Sequence, residues 1–371
     1  MAENVSEVTT VGSWFTTEEI PPSVPNAFTM RVVVGIIYLI IAVVGTLGNT
    51  LVITAVLLSN KLRTATNAFV VNLSLADLLT SLVIYLQAAV IYSRDGPAGG
   101  DWVCSLATII IITTVGCSIM TLASVSLNRY LLITRPAVTY RAIFTAKKIT
   151  VWLVLVWLVP LLVVLLPPLL GVGALGFNRM YHHCGFIDHP LARVFNIVIA
   201  AVLYPVPLVT IIACYVGIWR HLRHHAKRIS ASNEPDESSG NKVTDEEKGG
   251  VANDNTQSAD SARFARSVSK ALMMNRRQNE ITKNMFYIVC AFLVCQSPWL
   301  VCLLLNGAGP AVPYAIAILF FNSCLNPMIY ANKHRDFKAV FGCILRCRWD
   351  QIPEPSEFMK ALKRRACCTR G

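Results

Sequence analysis

Asp77, in Asn72-Leu73-Ser74-Leu75-Ala76-Asp77-Leu78-Leu79, is the only acid in the middle of an apolar block of this sequence. Asn49 lies in Gly48-Asn49-Thr50-Leu51-Val52, a third block runs into Asn128-Arg129-Tyr130, and another carries Asn322-Ser323-Cys324-Leu325-Asn326-Pro327-Met328-Ile329-Tyr330. A carboxylate taken out of water needs a cation or a proton, so the chemistry open to Asp77 is the holding of one or the other. A purely structural polar network around a protonated Asp77 is the alternative. No heptad, internal repeat or metal-ligand spacing accompanies these residues.

The blocks that position them cross a membrane. Of 371 residues, 54% are hydrophobic and 15% charged, against about 25% charged in soluble proteins. A spanning helix needs about 20 mostly apolar residues, and seven blocks qualify: 31–58, 66–93, 102–134, 147–170, 191–219, 284–305 and 311–331. Pro298, Pro310 and Pro313 interrupt the last two, which membrane helices tolerate. A central charge in a span costs on the order of 2.5–3.5 kcal/mol on insertion scales, so the few polar residues kept there are the working parts.

The net charge of +12 is distributed by side. Arg31, Arg94, Arg179 and Arg193 fall on one side, while Lys61, Arg63, Arg141, Lys147, Lys148, Arg220, Arg223, Lys227, Arg228, Arg276, Arg277 and Lys363-Arg364-Arg365 fall on the other. The positive-inside rule then puts the N-terminus outside and the C-terminus in the cytosol. The basic loops are topology signals with anionic lipid headgroups as contacts, and a nucleic-acid partner is excluded.

Residues 1–30 form an extracellular segment without the apolar core of a cleavable signal, so the first span is expected to act as its own insertion signal. Asn4-Val5-Ser6 is a glycosylation sequon on the outer side. Asn72-Leu73-Ser74 has the same form inside a span, where no glycan can be added. Of twelve cysteines, only Cys104 and Cys184 fall on the oxidising outer side. The third cytosolic loop, about 220–283, reads as partly disordered, because 229–262 is rich in Ser, Asn, Asp, Glu and Gly. Over 332–347, Phe337, Val340, Phe341, Ile344 and Leu345 recur at helical spacing among basic residues, which reads as an amphipathic helix on the inner face. Cys343 and Cys347 on it are lipidation candidates or unmodified thiols, and 348–371 reads as a cytosolic tail.

Gly-Asn-Thr-Leu-Val, Leu-Ala-Asp-Leu-Leu, Cys104, Asn-Arg-Tyr, Trp157, Cys184, Pro207, Tyr215, Pro298 and Asn-Pro-Met-Ile-Tyr occur in one order. In these motifs, over about residues 31–347, the sequence resembles the rhodopsin-like (class A) G-protein-coupled receptors. The resemblance implies an all-α seven-helix bundle in the plasma membrane and a Cys104–Cys184 disulfide tying the loop after the fourth span over the bundle. It matches Asp77, Ser118, Asn322, Ser323 and Asn326 to a sodium-holding cluster, with no other cofactor. Arg129 matches the arginine that meets the G protein, and Tyr215, Asn326, Pro327 and Tyr330 match the inner switch. Ile119, Pro207 and Phe292 match a packing triad that relays movement of the sixth span. Within the family the sequence looks closest to the melatonin-receptor-like group.

Departures from the family pattern carry their own expectations. Asn128 replaces the usual acid beside Arg129; asparagine can hydrogen-bond the guanidinium but cannot pair with it as a charge. Gln278 stands where many members have Glu, and Glu280 is about 200° away around the helix at roughly 100° per residue. The resting lock is therefore expected to be weak and ligand-free signalling appreciable. In Cys295-Gln296-Ser297-Pro298-Trp299, Gln296 stands where the family keeps tryptophan. It either changes how the pocket floor senses ligand or extends the sodium-site hydrogen bonds.

By the same comparison Ile111 stands where amine receptors place an aspartate and Phe320 where opsins place the retinal-linking lysine, so neither an amine nor retinal is the expected ligand. The inward candidates Ile112, Val115, Ile199, Leu203, Trp299, Leu300, Leu303, Val312 and Ile316, with Phe320, would form an apolar cavity for a lipid-like, indole or weakly polar ligand. The same residues facing lipid would look identical in sequence. Gln87, Tyr92, Tyr181, His182, His183, Asn306 and Tyr314 are polar candidates near the mouth. The two histidines would meet an acidic headgroup or sense pH, unless they are solvent-exposed loop residues.

Together these residues imply a receptor without covalent chemistry, not an enzyme, whose partners are a small extracellular ligand, a heterotrimeric G protein, arrestin and receptor kinases. Ser230, Ser232, Ser267 and Ser269 near basic residues are candidate kinase sites. A transporter or channel, or a decoy receptor that never couples, are the alternatives.

Overall fold

A computed structural model describes residues 27–93, 96–232, 280, 282–305 and 309–361. Among the described residues, seven helical spans are long and apolar enough to cross a membrane. The first three are α1 (Ala27–Leu58), α2 (Ala65–Val90) and α3 (Asp101–Thr134). A short helix α4 (Ala137–Ile143) leads into the fourth, α5 (Ala146–Leu169). A hairpin comes next, β1 (Leu175–Asn178) paired antiparallel with β2 (His183–Phe186), with Phe177 opposite Cys184. The fifth span is α6 (Ala192–Leu203) plus α7 (Pro205–Ser232), the sixth is α8 (Thr282–Leu304), and the seventh is α9 (Val312–Lys333). An eleven-residue helix, α10 (Arg335–Leu345), comes after it. The architecture is therefore an all-helical bundle with a further helix after the seventh span.

Local chemistry sets these boundaries. Thr64 caps α2 by accepting from Asn67 N–H at 3.2 Å, and Thr145 caps α5 by accepting from Lys148 N–H at 3.4 Å. Pro205 has no N–H to donate, so the fifth span breaks at Tyr204 instead of running on as one helix.

Burial shows which faces meet lipid. Of α5's 24 residues only Val156, Pro160 and Val164 are buried; the remaining apolar surface is the kind that a bilayer, not water, accommodates. Towards the α10 end the core gathers Leu73, Ile119, Phe292, Tyr330 and Phe337; towards the hairpin end it gathers Tyr38, Ile84, Ile111, Ile316 and Phe320. Gly48 lets α1 and α9 approach, since a Cβ there would sit 2.8 Å from Pro327.

Beyond α10 the chain turns back on the bundle. Ile352 and Met359 pack on Leu58 at the end of α1, and Asn60 N–H donates to Glu354 O at 2.8 Å. Two non-glycine residues adopt left-handed backbone on the way, Cys347 (φ 54°) and Glu354 (φ 47°), each at a cost of about 1–2 kcal/mol. Burying each apolar side chain returns about 1.5–3 kcal/mol, which offsets that cost. The N-terminal segment with Asn4, the third loop with Gln278, Ser267 and Ser269, and Arg94, Asn306 and the Lys363 run lie outside the described residues.

Candidate functional site

The residues at 108, 111, 112, 115, 116 and 119 share one face of α3 at helical spacing and line a cavity beneath the hairpin. It encloses about 670 Å³ of atom-free space, part of it open to solvent, and is also walled by Ile199, Leu203, Trp299, Leu303, Ile316 and Phe320. No acid and no lysine or arginine stands on that wall among the described residues. Cys104 and Cys184 are disulfide-bonded, which fixes β2 over the cavity. Gln87 clamps the same strand by donating to Cys184 O and accepting from Cys184 N–H, both at 2.9 Å.

His183 borders both this cavity and a wider opening towards Tyr181, Arg193 and Val312. Its ring is buried, Nδ1 has no hydrogen-bond partner, and burial pushes its pKa down to about 4. It is thus a neutral imidazole at neutral pH. Phe186 stacks on Trp299 with ring centres 6.3 Å apart, closing the neighbouring wall. His182 is instead turned to Ser93 O at 3.0 Å, and Tyr92 donates to Val32 O at 3.2 Å.

Three expected wall residues stand elsewhere, of which Val312 borders only the wider opening. Leu300 is about 100° around α8 from Trp299 and is absent from the wall. Gln296 lies deeper, 3% exposed, and accepts the Tyr204 hydroxyl hydrogen at 3.2 Å. That bond runs to the break in the fifth span, not to the Asp77 network, so of the two alternatives for Gln296 the extension of the sodium-site hydrogen bonds is not the one formed. Thr108, Gly116, Tyr204, Phe186 and Leu319 line the cavity without having been expected. The i, i+3, i+4 spacing on α3 was the signal that could have found the first two. Ile119 lines the cavity and shares a core cluster with Phe292, and Pro207 is buried on α7.

Asp77 is 2% exposed. Asn326 Nδ2 donates to its Oδ2 at 2.6 Å and Ser323 Oγ to its Oδ1 at 3.4 Å, with Ser118 also in hydrogen-bonding reach. Asn322 Oδ1 and Ser74 Oγ are buried without a hydrogen-bond partner. A carboxylate, hydroxyls and an unpartnered amide oxygen are all oxygen donors of the kind a hard cation takes, so by donor chemistry the residues present fit sodium. Nearby, Asn49 ties α1 to α9 by donating to Ser323 O at 2.9 Å, and Asn72 accepts from Trp157 Nε1 at 2.8 Å.

Arg129 is buried at the opposite end of α3. Asn128 does not engage it: Oδ1 accepts from Thr66 at 2.8 Å and Nδ2 donates to Tyr140 Oη at 3.1 Å. Consecutive helical residues diverge by about 100°, which aims Asn128 at α2 and α4, so the hydrogen bond that an asparagine could have made to the guanidinium is not formed. Tyr130 packs against Gly217 of α7, where a Cβ would lie 2.6 Å from its ring. Tyr215 meets Phe286 edge-on at 5.2 Å, and Tyr330 stacks on Phe337 at 5.2 Å. Asn284 joins α8 to the end of α9 by donating to Lys333 O at 2.8 Å. Cys347 is exposed, whereas Cys343 is half-buried beneath the returning tail.

Comparison with known proteins agrees with this geometry. Residues 48–330 match the 7 transmembrane receptor (rhodopsin family). The alpha-1D adrenergic receptor of Homo sapiens is 28% identical over 314 residues, 81% of this chain and 54% of that one, so the chain spans about half the length of that relative. The melatonin receptor type 1B of Rattus norvegicus is 25% identical over 345 residues, 89% of this chain and 82% of that one. Squid rhodopsin shares the fold with a TM-score of 0.70 at 23% identity, over 86% of this chain and 87% of that one. A multi-pass membrane bundle with a hairpin-capped cavity, a buried Asp77 cluster and an inner Arg129 is thus joined to a match over most of the chain, and the protein belongs to the rhodopsin family of seven-transmembrane receptors.

Proposed function

We propose that the chain is a plasma-membrane G-protein-coupled receptor whose hairpin face is extracellular and whose α10 face is cytosolic. The observation that carries the reading is the hairpin-capped apolar cavity over Gln296 and Tyr204, at the far end of the bundle from Arg129. A ligand seated there acts by binding one arrangement of the helices better than another. Arg129, Tyr215 and Tyr330 line the crevice that opens when α8 swings away, and a heterotrimeric G protein enters it and exchanges nucleotide. Arrestin and receptor kinases act on the same face.

The ligand is apolar with one hydrogen-bonding group. Absence of an acid among the described cavity walls argues against a cationic amine, although the adrenergic receptor is a relative. Gln87, Thr108, His183 and Tyr204 are the polar groups that would orient it.

Asp77, Ser118, Asn322, Ser323 and Asn326 would hold a sodium ion. When bound, the ion supplies the positive charge that a buried carboxylate lacks. Asp77 and Asn326 then keep α2 and α9 at a fixed separation.

The deciding experiment reconstitutes the full chain in lipid vesicles with purified G-protein heterotrimers and measures nucleotide exchange while ligands are screened. Exchange that rises with receptor and collapses in Arg129→Ala is expected. Exchange equal to receptor-free vesicles with every heterotrimer, or ligand-independent ion flux, overturns the reading.

A further inference from the structure

After α10 the chain reverses and fastens onto the loop between α1 and α2. Ser59 pairs with Pro355 as a β-bridge, and Ser59 Oγ donates to Pro353 O at 2.6 Å. Ser356 N–H donates to Leu58 O at 2.9 Å and its hydroxyl donates to Leu57 O at 2.7 Å, while the same hydroxyl accepts from Met359 N–H at 3.2 Å. Ser356 is wholly buried, and Ile352 and Met359 are each 4% exposed. The segment also contacts one thiol of α10, which is half-buried: Cys343 Sγ donates to Gln351 O at 3.4 Å and packs with the Leu58 cluster. Cys347, at the reversal itself, stays exposed.

We propose that residues 349–361 are a releasable clip that locks α10 to the α1–α2 loop and controls access to the Cys343 thiol. This inference is independent of ligand or G-protein coupling. Docked, the clip leaves Cys347 open and Cys343 half-buried against Gln351; released, it opens both and frees the backbone of Ser59 and Asn60. Release has a built-in bias, because Cys347 and Glu354 hold left-handed backbone that a side chain disfavours. It also has a chemical trigger position. Ser356 faces the carbonyl oxygens of Leu57 and Leu58 and must donate to one of them. A negative charge at residue 356 cannot donate there and would be buried against those oxygens, so charge at 356 and docking exclude each other.

The test is a pulse of water-soluble maleimide on the full chain in lipid nanodiscs, with labelling of each thiol read by mass spectrometry. Local opening governs the rate at a partly covered thiol, so wild-type Cys343 is expected to label at least about tenfold more slowly than Cys347. Ser356→Asp and Ile352→Glu are expected to bring the two rates within about threefold, with Cys347 unchanged. Glu354→Gly, which relieves the left-handed backbone, is expected to slow Cys343 further. Equal rates in the wild type, or a Cys343 rate indifferent to Ser356→Asp, would overturn the clip. If the charged variants also expose the buried Cys117, they have unfolded the bundle, and Glu354→Gly then decides: a Cys343 rate that is not slowed overturns the proposal.

Discussion

Tyr204 donates its hydroxyl hydrogen to Oε1 of Gln296 at 3.2 Å, joining the break in the fifth span to the floor of the cavity on the sixth. Removing either partner strands the other in an apolar setting, at a cost of about 1–3 kcal/mol. Tyr204→Phe and Gln296→Leu are each expected to lower the melting temperature by several degrees and to change basal nucleotide exchange in the same direction. The double variant should lose less than the sum, with a coupling of about 1 kcal/mol. Strict additivity in a double-mutant cycle would remove the pair from the activation pathway.

Asn128 bonds Thr66 and Tyr140, and no carboxylate adjoins Arg129 in sequence. Asn128→Asp introduces one while keeping an acceptor for Thr66. Ligand-free exchange in vesicles is expected to fall severalfold in Asn128→Asp, because a carboxylate one residue along α3 attracts the guanidinium through space without a direct bond, which the neutral amide does not do. Basal exchange in the wild type indistinguishable from receptor-free vesicles would refute the weak-lock expectation.

The donor set around Asp77 predicts a sodium effect. Replacing sodium by potassium at constant ionic strength should lower the melting temperature of the wild type and raise its basal exchange. Asp77→Asn, which removes the charge and keeps the shape, should melt at the same temperature in both salts. A wild type indifferent to the exchange of cations would assign the cluster to structure alone.

His183 adds a pH dependence outside the spans. Its folded pKa of about 4 is below the ordinary 6.5, so between these values the unfolded chain binds the extra proton. The contribution to stability is therefore fully present above 6.5 and is lost as pH falls towards 4, amounting to about 3 kcal/mol over the window. His183→Gln should melt with a shallower acid dependence than the wild type across pH 6.5 to 4. Parallel melting curves for the two proteins would place His183 in contact with water.

Much of this was legible in the chain. Seven spans could be read because a bilayer demands long apolar runs, and a single acid such as Asp77 stands out where each charge carries a penalty. The apolar character of the cavity could be read from the types on one face of α3, since helical spacing is visible in one dimension.

Partner choice was not legible, because it depends on where a side chain points after the helices pack. Asn128 turns to Thr66 and Tyr140 rather than to its neighbour Arg129, and Gln296 reaches Tyr204 rather than the Asp77 cluster. Sequence proximity and shared polarity left the other partner open in both cases. The burial of His183 and the return of Ser356 to Leu57 are likewise tertiary facts: no local pattern states that a loop histidine will be lidded or that a polar tail will fasten to residues almost 300 positions earlier. Composition and periodicity determined the bundle and its orientation rules, whereas packing in three dimensions decided which polar atoms are paired and which are left to receive a ligand.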